Sequence, residues 1–153
     1  LEESRIHPST YELQAPLSPH EAARLEGLRL DMNQFKLPTT DNNLVVEGAG
    51  GVLVPINEGA LMIDLIDQLD LPVVVVARSG LGTINHTLLT LEALRARNLE
   101  LLGVIVSGPA NSANIEAIRT YGKIKILLEL EPISPLDSAG IDIAAKNLES
   151  EFS

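Results

Sequence analysis

A single carboxylate beside a cluster of glycines is the clearest chemical signal in this sequence. Residues 44 to 51 read Leu-Val-Val-Glu-Gly-Ala-Gly-Gly, so Glu47 stands between an apolar run and a glycine-rich turn. Mg²⁺ prefers carboxylate oxygens, and glycine N–H groups can approach phosphate oxygens that a Cβ would keep away. Two interpretations fit the octamer: a metal and phosphate site, or a strand that ends in a tight turn with a solvated Glu47.

A second glycine turn, Gly80-Leu81-Gly82, lies before a strongly periodic helical pattern that runs from Thr83 to Arg97. The N–H groups of Gly82, Thr83, Ile84 and Asn85 would be free at the start of that helix. Together with the helix dipole they favour an anion. Thr83 and Asn85 fit equally well as ordinary capping residues.

Three further side chains near these turns have open roles. Arg78 can meet a phosphate or a neighbouring carboxylate. His86 can be a base, although a histidine next to a helix cap is more often a surface or packing residue. The pair Asp64 and Asp67 is more typical of a solvated helix face than of a two-carboxylate acid-base site.

The remaining sequence predicts the elements that position the turns. The predicted strands are Leu44 to Val46, Val73 to Ala77, Leu101 to Val106 and Ile124 to Leu128. The predicted helices are Pro19 to about Gly27, Ala60 to Leu69, Thr83 to Arg97, Asn114 to Tyr121 and Ile141 to Leu148. This alternation indicates an α/β fold with a parallel sheet and helices on both faces. The turns at Glu47, at Arg78 and at Ser107 are therefore expected along one edge of the sheet.

Composition excludes several classes of function. The chain has 153 residues, with 21 acidic and 11 basic side chains, and its net charge of −10 disfavours nucleic acid and anionic membranes. It has no cysteine, which excludes disulfides and thiolate chemistry. The longest apolar stretch, Leu71 to Ala77, is too short to span a bilayer, and no targeting segment is visible. We therefore expect a single cytoplasmic domain.

Several of these motifs together resemble the dethiobiotin synthetase family. Glu47-Gly48-Ala49-Gly50-Gly51 and Gly82-Thr83-Ile84-Asn85-His86 look like two of its signatures, and residues 16 to 23 resemble the segment before its helix. These motifs are spread over most of residues 11 to 133, in the order and spacing of the family. The resemblance implies a P-loop NTPase-like domain with a Rossmann-like fold of three layers. Residues 1 to 153 are expected to form only part of that domain.

The resemblance also implies an activity, a ligase of biotin biosynthesis that depends on ATP and Mg²⁺. Members of the family carboxylate the diamine 7,8-diaminononanoate with CO₂ and phosphorylate the carbamate with ATP. They then close the cyclic urea of dethiobiotin. A homodimer is implied as well.

Roles for individual residues follow from the same resemblance. Glu47 is expected to hold the metal, with Gly48, Ala49 and Gly50 against the nucleotide. The segments Ser107-Gly108 and Glu131-Pro132-Ile133 are expected to border the adenine, although Ser107 replaces an amide side chain that reads the base in some members. Gly82, Thr83, Ile84 and Asn85 are expected to bind the carboxylate tail of the substrate across the dimer.

One family feature does not occur in these 153 residues, a phosphate-binding loop of the Gly-x-x-x-x-Gly-Lys-Thr type. The resemblance puts that loop, the strand before it and the catalytic lysine side chains upstream of Leu1. Losing one such positively charged side chain can cost on the order of 10³-fold in rate, so we expect residues 1 to 153 alone to be inactive. Two alternatives remain: a non-catalytic short relative that acts as a binding or dimerisation protein, and an amide-forming ligase of the same superfamily, such as a cobyrinate enzyme.

Overall fold

The structure is a computed structural model that describes residues 6 to 151, with side chains up to Lys146. Its α-helices are α1 (Pro19–Leu25), α2 (Met62–Leu69), α3 (Thr83–Ala96), α4 (Ser112–Gly122) and α5 (Ser138–Glu151), and a 3₁₀ turn covers Met32–Gln34. Its strands are β1 (Val73–Arg78), β2 (Leu101–Ser107) and β3 (Ile126–Leu130).

The strands form one sheet in the order β1-β2-β3. Strands β2 and β3 are parallel, with Ser107 opposite Leu130. Strand β1 runs the same way, because Val73 N–H donates to Glu100 O at its start and Ser79 N–H donates to Ser107 O at its end. The predicted α/β fold with a parallel sheet is confirmed.

The predicted strand at Leu44 to Val46 is wrong. These residues have no regular secondary structure, and Val45 and Val46 are 90% and 47% exposed. An apolar pattern predicts burial, but a strand also needs a neighbour that satisfies its backbone N–H and C=O groups. Among residues 6 to 151, no strand pairs with this segment, so the described sheet has three strands rather than four.

Helix caps explain where other predicted boundaries moved. Helix α4 begins at Ser112 rather than Asn114, because the side chain of Asn111 accepts the N–H of Asn114 and caps the first turn. Helix α5 begins three residues early because Asp137 accepts the N–H of Gly140. Lys123 ends α4 in the left-handed conformation, which delays β3 to Ile126.

The described chain divides into two compact units. The first, here called the sheet unit, comprises among the described residues Ile6, Val74–Thr87 and residues 103 to 151. Its buried apolar side chains include those of Ala77, Val104, Val106, Ile115 and Ile118.

The second unit, here called the N-terminal unit, comprises His7–Val73 and Leu88–Leu102. One of its apolar clusters has Ala23, Leu30, Ile56, Met62 and Leu65 at its centre. Tyr11 and Phe35 pack against this cluster with their ring centroids 5.5 Å apart. None of the described helices is both long and apolar enough to cross a membrane.

Asp64 has a structural role in the N-terminal unit and is not simply solvated. It accepts a hydrogen bond from the N–H of Leu61, the N-cap of α2, at 2.7 Å, and pairs with Arg97 Nη1 at 2.6 Å. The Leu61 N–H and then the Arg97 guanidinium hold the pKa of Asp64 below its usual value of 3.8. The charged carboxylate therefore stabilises the folded unit.

We predict that Asp64→Asn lowers the free energy of unfolding by about 1 kcal/mol at pH 7. Because the pKa is lower in the folded state, the stabilisation is present above pH 3.8 and is lost as the pH falls through the folded pKa. Urea denaturation at several pH values measures this difference. Asp67→Asn, an exposed change on the same helix, is the control. An equal cost for both variants at pH 7 would contradict the assignment.

Candidate functional site

The ends of β1 and β2 meet in the sheet unit through Ser79 and Gly108. Ser79 is only 4% exposed, and its N–H donates to Ser107 O at 3.1 Å. Gly108 has a φ of +134°, and a Cβ placed on it would lie 2.4 Å from Ser79 Oγ. A side chain at position 108 would therefore force the buried Ser79 hydroxyl to move.

The ends of β2 and β3 are joined in the same way. Gly108 N–H donates to Leu130 O at 2.9 Å, so Gly108 lies beside the residue that precedes Glu131. The two segments expected to border the adenine, Ser107-Gly108 and Glu131-Pro132-Ile133, thus follow hydrogen-bonded strand ends. Glu131 and Pro132 are exposed, and Ile133 is half-buried.

An open groove of about 390 Å³ lies at this edge. It is lined by the turns after β1 and β2 and by the approach to α4: Arg78, Ser79, Gly80, Leu81, Ser107, Gly108, Pro109, Ala110 and Asn111. Arg78 is exposed, so its cation can reach a ligand in the groove. The turns at Arg78 and Ser107, two of the three turns expected along one edge of the sheet, therefore lie together.

The start of α3 follows the first of these turns. Gly82 has a φ of +89°, a left-handed conformation that glycine adopts readily and other residues rarely do. The N–H of Thr83 donates to Gly80 O at 3.2 Å, so it is used within the turn. The helical hydrogen bond from His86 N–H to Gly82 O leaves the N–H groups of Ile84 and Asn85 at the helix end, where an anion is favoured.

The side chains at this helix start differ in exposure. Thr83 and Thr87 are buried, with their hydroxyl oxygens 3.5 Å apart, so Thr83 points into the protein. Asn85 and His86 are exposed. A ligand can therefore meet backbone N–H groups and the Asn85 amide here, whereas the Thr83 hydroxyl faces the interior.

Glu47 lies in the N-terminal unit, on an exposed turn anchored to helix α2. The N–H groups of Met62 and Ile63 donate to the carbonyls of Val54 and Val52, both at 2.8 Å. Gly48 is so close to Met62 that a Cβ would lie 3.0 Å from its sulfur. The first N–H groups of α2 are thus satisfied by this turn, which holds the backbone behind Glu47 against the helix.

The carboxylate of Glu47 fits a metal that arrives with a nucleotide. Mg²⁺ typically takes one or two protein carboxylates and fills its other positions with water and phosphate oxygens. Within residues 6 to 151, no three acidic or histidine side chains gather as a ready-made cage. One exposed carboxylate next to a glycine turn suits Mg²⁺ bound to phosphates better than a resident structural metal.

Sequence reasoning gave no role to Asn111 and Asn114, both near this edge. Asn111 lines the groove and caps α4, while Asn114 Nδ2 donates to Ser79 O at 2.8 Å. In the sequence, Asn111 stands three residues before Asn114, a spacing that is typical of a helix N-cap. This signal could have predicted the cap.

Comparison with known proteins identifies the family. A family model described as an AAA domain matches residues 1–139. An ATP-dependent dethiobiotin synthetase of Paramagnetospirillum magneticum is 59% identical over 138 residues, which are 90% of this chain and 67% of that protein. The chain belongs to the dethiobiotin synthetase family. The resemblance seen in the sequence motifs is confirmed.

Two further relatives show how much of the family's length is present. A dethiobiotin synthetase of Lawsonia intracellularis is 50% identical over 87% of this chain and 65% of its own length. A biotin biosynthesis bifunctional protein of Bordetella avium is 53% identical over 97% of this chain and 32% of its own length. The chain thus spans about two thirds of the dethiobiotin synthetases that it matches and one third of the bifunctional protein.

We predict that Gly108→Ala lowers the free energy of unfolding by about 1 to 3 kcal/mol, because its Cβ meets Ser79 Oγ and the backbone φ is one that favours glycine. Ser79→Ala in the same protein should recover part of this loss, since it removes the nearest atom. Gly80→Ala is a matched control, because a Cβ there has no atom within 4 Å. Urea denaturation of the single and double variants measures the coupling. Strictly additive effects of the two alanines would show that the contact is not the cause.

Proposed function

We propose that this protein is the ATP- and Mg²⁺-dependent ligase that forms the cyclic urea of dethiobiotin from 7,8-diaminononanoate and CO₂. The main support is one edge of the sheet unit, where the turns after β1 and β2 meet beside the start of α3. That edge offers N–H groups for an anionic tail. Its groove includes Ser107 and Gly108, which form one side of the proposed base site. The family to which the chain belongs supports the same reaction.

When bound, Mg·ATP supplies the activated phosphoryl group that turns a carbamate oxygen into a leaving group. The part proposed for Glu47 is to hold the metal with its carboxylate. The backbone of Gly48, Ala49 and Gly50 is proposed to lie against the nucleotide. Gly50 has a φ of +78°, so this turn conformation suits glycine.

The proposed base site lies at the ends of β2 and β3. Ser107 and Gly108 lie on one side, and Glu131, Pro132 and Ile133 follow the neighbouring strand. Ser107 offers a hydroxyl where some relatives have an amide, so backbone groups carry more of the base recognition in this chain.

The proposed tail site is the start of α3. The N–H groups of Ile84 and Asn85 and the dipole of this 14-residue helix attract a carboxylate, while Gly82 permits the turn. The family resemblance supports a homodimer in which this turn reaches the partner's substrate.

The remaining partners and the location follow from charge and family. A net charge of −10 opposes binding to nucleic acid or anionic lipid, and we propose small-molecule substrates in the cytoplasm.

The direct test of the proposed reaction is incubation of the full-length protein with the diamine, ¹³C-bicarbonate, ATP and Mg²⁺. Mass spectrometry should show one labelled carbon in dethiobiotin. Binding of a corrinoid but not of the diamine would instead indicate an amide-forming ligase.

We predict that Glu47→Gln in the full-length protein raises the Mg²⁺ concentration needed for half-maximal activity about tenfold or more, because a neutral amide is a poorer ligand for a hard cation. Glu58→Gln is a matched control, since Glu58 is an exposed glutamate in the same unit. Its Oε2 lies 3.9 Å from Arg29 Nε. A Mg²⁺ titration of steady-state rates measures the shift. Superimposable titrations for the Glu47→Gln variant and the parent protein would contradict the metal role.

A further inference from the structure

Asn114 connects helix α4 to the loop that leads from β1 into α3. Its side-chain Nδ2 donates to Ser79 O at 2.8 Å and to Gly80 O at 3.5 Å. Its own backbone N–H donates to Asn111 Oδ1 at 3.1 Å, which fixes Asn114 in the first turn of α4. The residue that holds the loop is therefore itself held by a helix cap.

The two carbonyls that Asn114 contacts belong to the turn before the proposed tail site. Gly80 O also accepts the N–H of Thr83, the first residue of α3. On the other side, Ser79 N–H is bonded to Ser107 O on β2. The loop is thus fixed by backbone bonds to β2 and within its own turn, and by a side chain from α4.

The chemistry of an amide suits this position. The NH₂ group has two hydrogens and can donate to both carbonyls, whereas aspartate of the same shape would place oxygens against them. Asn114 is half-buried, so water replaces the lost donors only partly. An asparagine therefore holds this turn better than an aspartate or an alanine would.

We propose that Asn114 is a positioning residue for substrate binding: it sets the turn from Ser79 to Gly82 and thereby the N–H groups of Ile84 and Asn85. This inference rests on the proposed function of the start of α3 as the site of the substrate's carboxylate tail. Asn114 acts mainly through the Ser79 carbonyl, with a longer contact to the Gly80 carbonyl, and does not touch the substrate. Its effect is therefore on affinity for the diamine more than on the chemical step.

The test compares Asn114→Asp and Asn114→Ala with the parent full-length protein in steady-state assays. We expect KM for the diamine to rise roughly tenfold, equivalent to about 1.4 kcal/mol, with a smaller change in KM for ATP and in kcat. We expect KM for ATP to change less because the strand ends of the proposed base site are held by other bonds. These run from Ser79 N–H to Ser107 O and from Gly108 N–H to Leu130 O, and neither involves Asn114.

Thr120→Ala is the matched control, because it removes an exposed side-chain hydrogen bond to Glu116 on the same helix. It should leave both KM values unchanged. Asn114→Ala introduces no charge and no added bulk, so it keeps the test available if the aspartate variant does not fold. A lower melting temperature with unchanged KM for the diamine would mean a purely structural role and would overturn the proposal.

A second measurement separates this proposal from the proposed function. Amide hydrogen exchange without substrate should be faster at Thr83 and His86, whose N–H groups donate to Gly80 O and Gly82 O, in both Asn114 variants than in the parent and in the Thr120→Ala variant. If the parent protein has no diamine-dependent activity, the proposed function fails. Unchanged exchange at these two amides would refute the positioning role independently.

Discussion

The contact between Ser79 and Gly108 is the constraint on which the rest of the sheet edge depends. Ser79 is buried, its N–H donates to Ser107 O on β2, and a Cβ on residue 108 would lie 2.4 Å from its hydroxyl oxygen. The next bond, from Gly108 N–H to Leu130 O, brings in the end of β3. Three strand ends are thereby fixed by backbone atoms, and the side chains around them remain available to meet a ligand.

Electrostatics determines how such an edge can attract an anion on a protein with a net charge of −10. The overall field repels phosphate and carboxylate, so attraction has to be local. Backbone N–H groups at the start of α3 and the exposed Arg78 supply it in the sheet unit. In the N-terminal unit Glu47 can attract only a cation, and its proposed part in nucleotide binding therefore requires Mg²⁺.

The sequence predicted the parallel fold and the family, because both depend on strong local signals. Val73 to Val76 are β-branched and follow a proline, a glycine turn comes after Arg78, and the strand predicted for Val73 to Ala77 appears as Val73–Arg78. Leu44 to Val46 has the same apolar character but no partner strand among the described residues, and pairing is not encoded in a three-residue pattern. Asn114 was missed because the carbonyls that it contacts lie 35 and 34 positions away in the sequence.

The central claim is that the described strand ends bind the nucleotide base and that the start of α3 binds the carboxylate of the diamine. A crystal structure of the full-length protein with Mg²⁺, a non-hydrolysable ATP analogue and 7,8-diaminononanoate tests it most directly. We expect the base between Ser107-Gly108 and Glu131-Pro132-Ile133, and the carboxylate within hydrogen-bond distance of the N–H groups of Ile84 and Asn85. A base or a carboxylate bound away from these residues would contradict it.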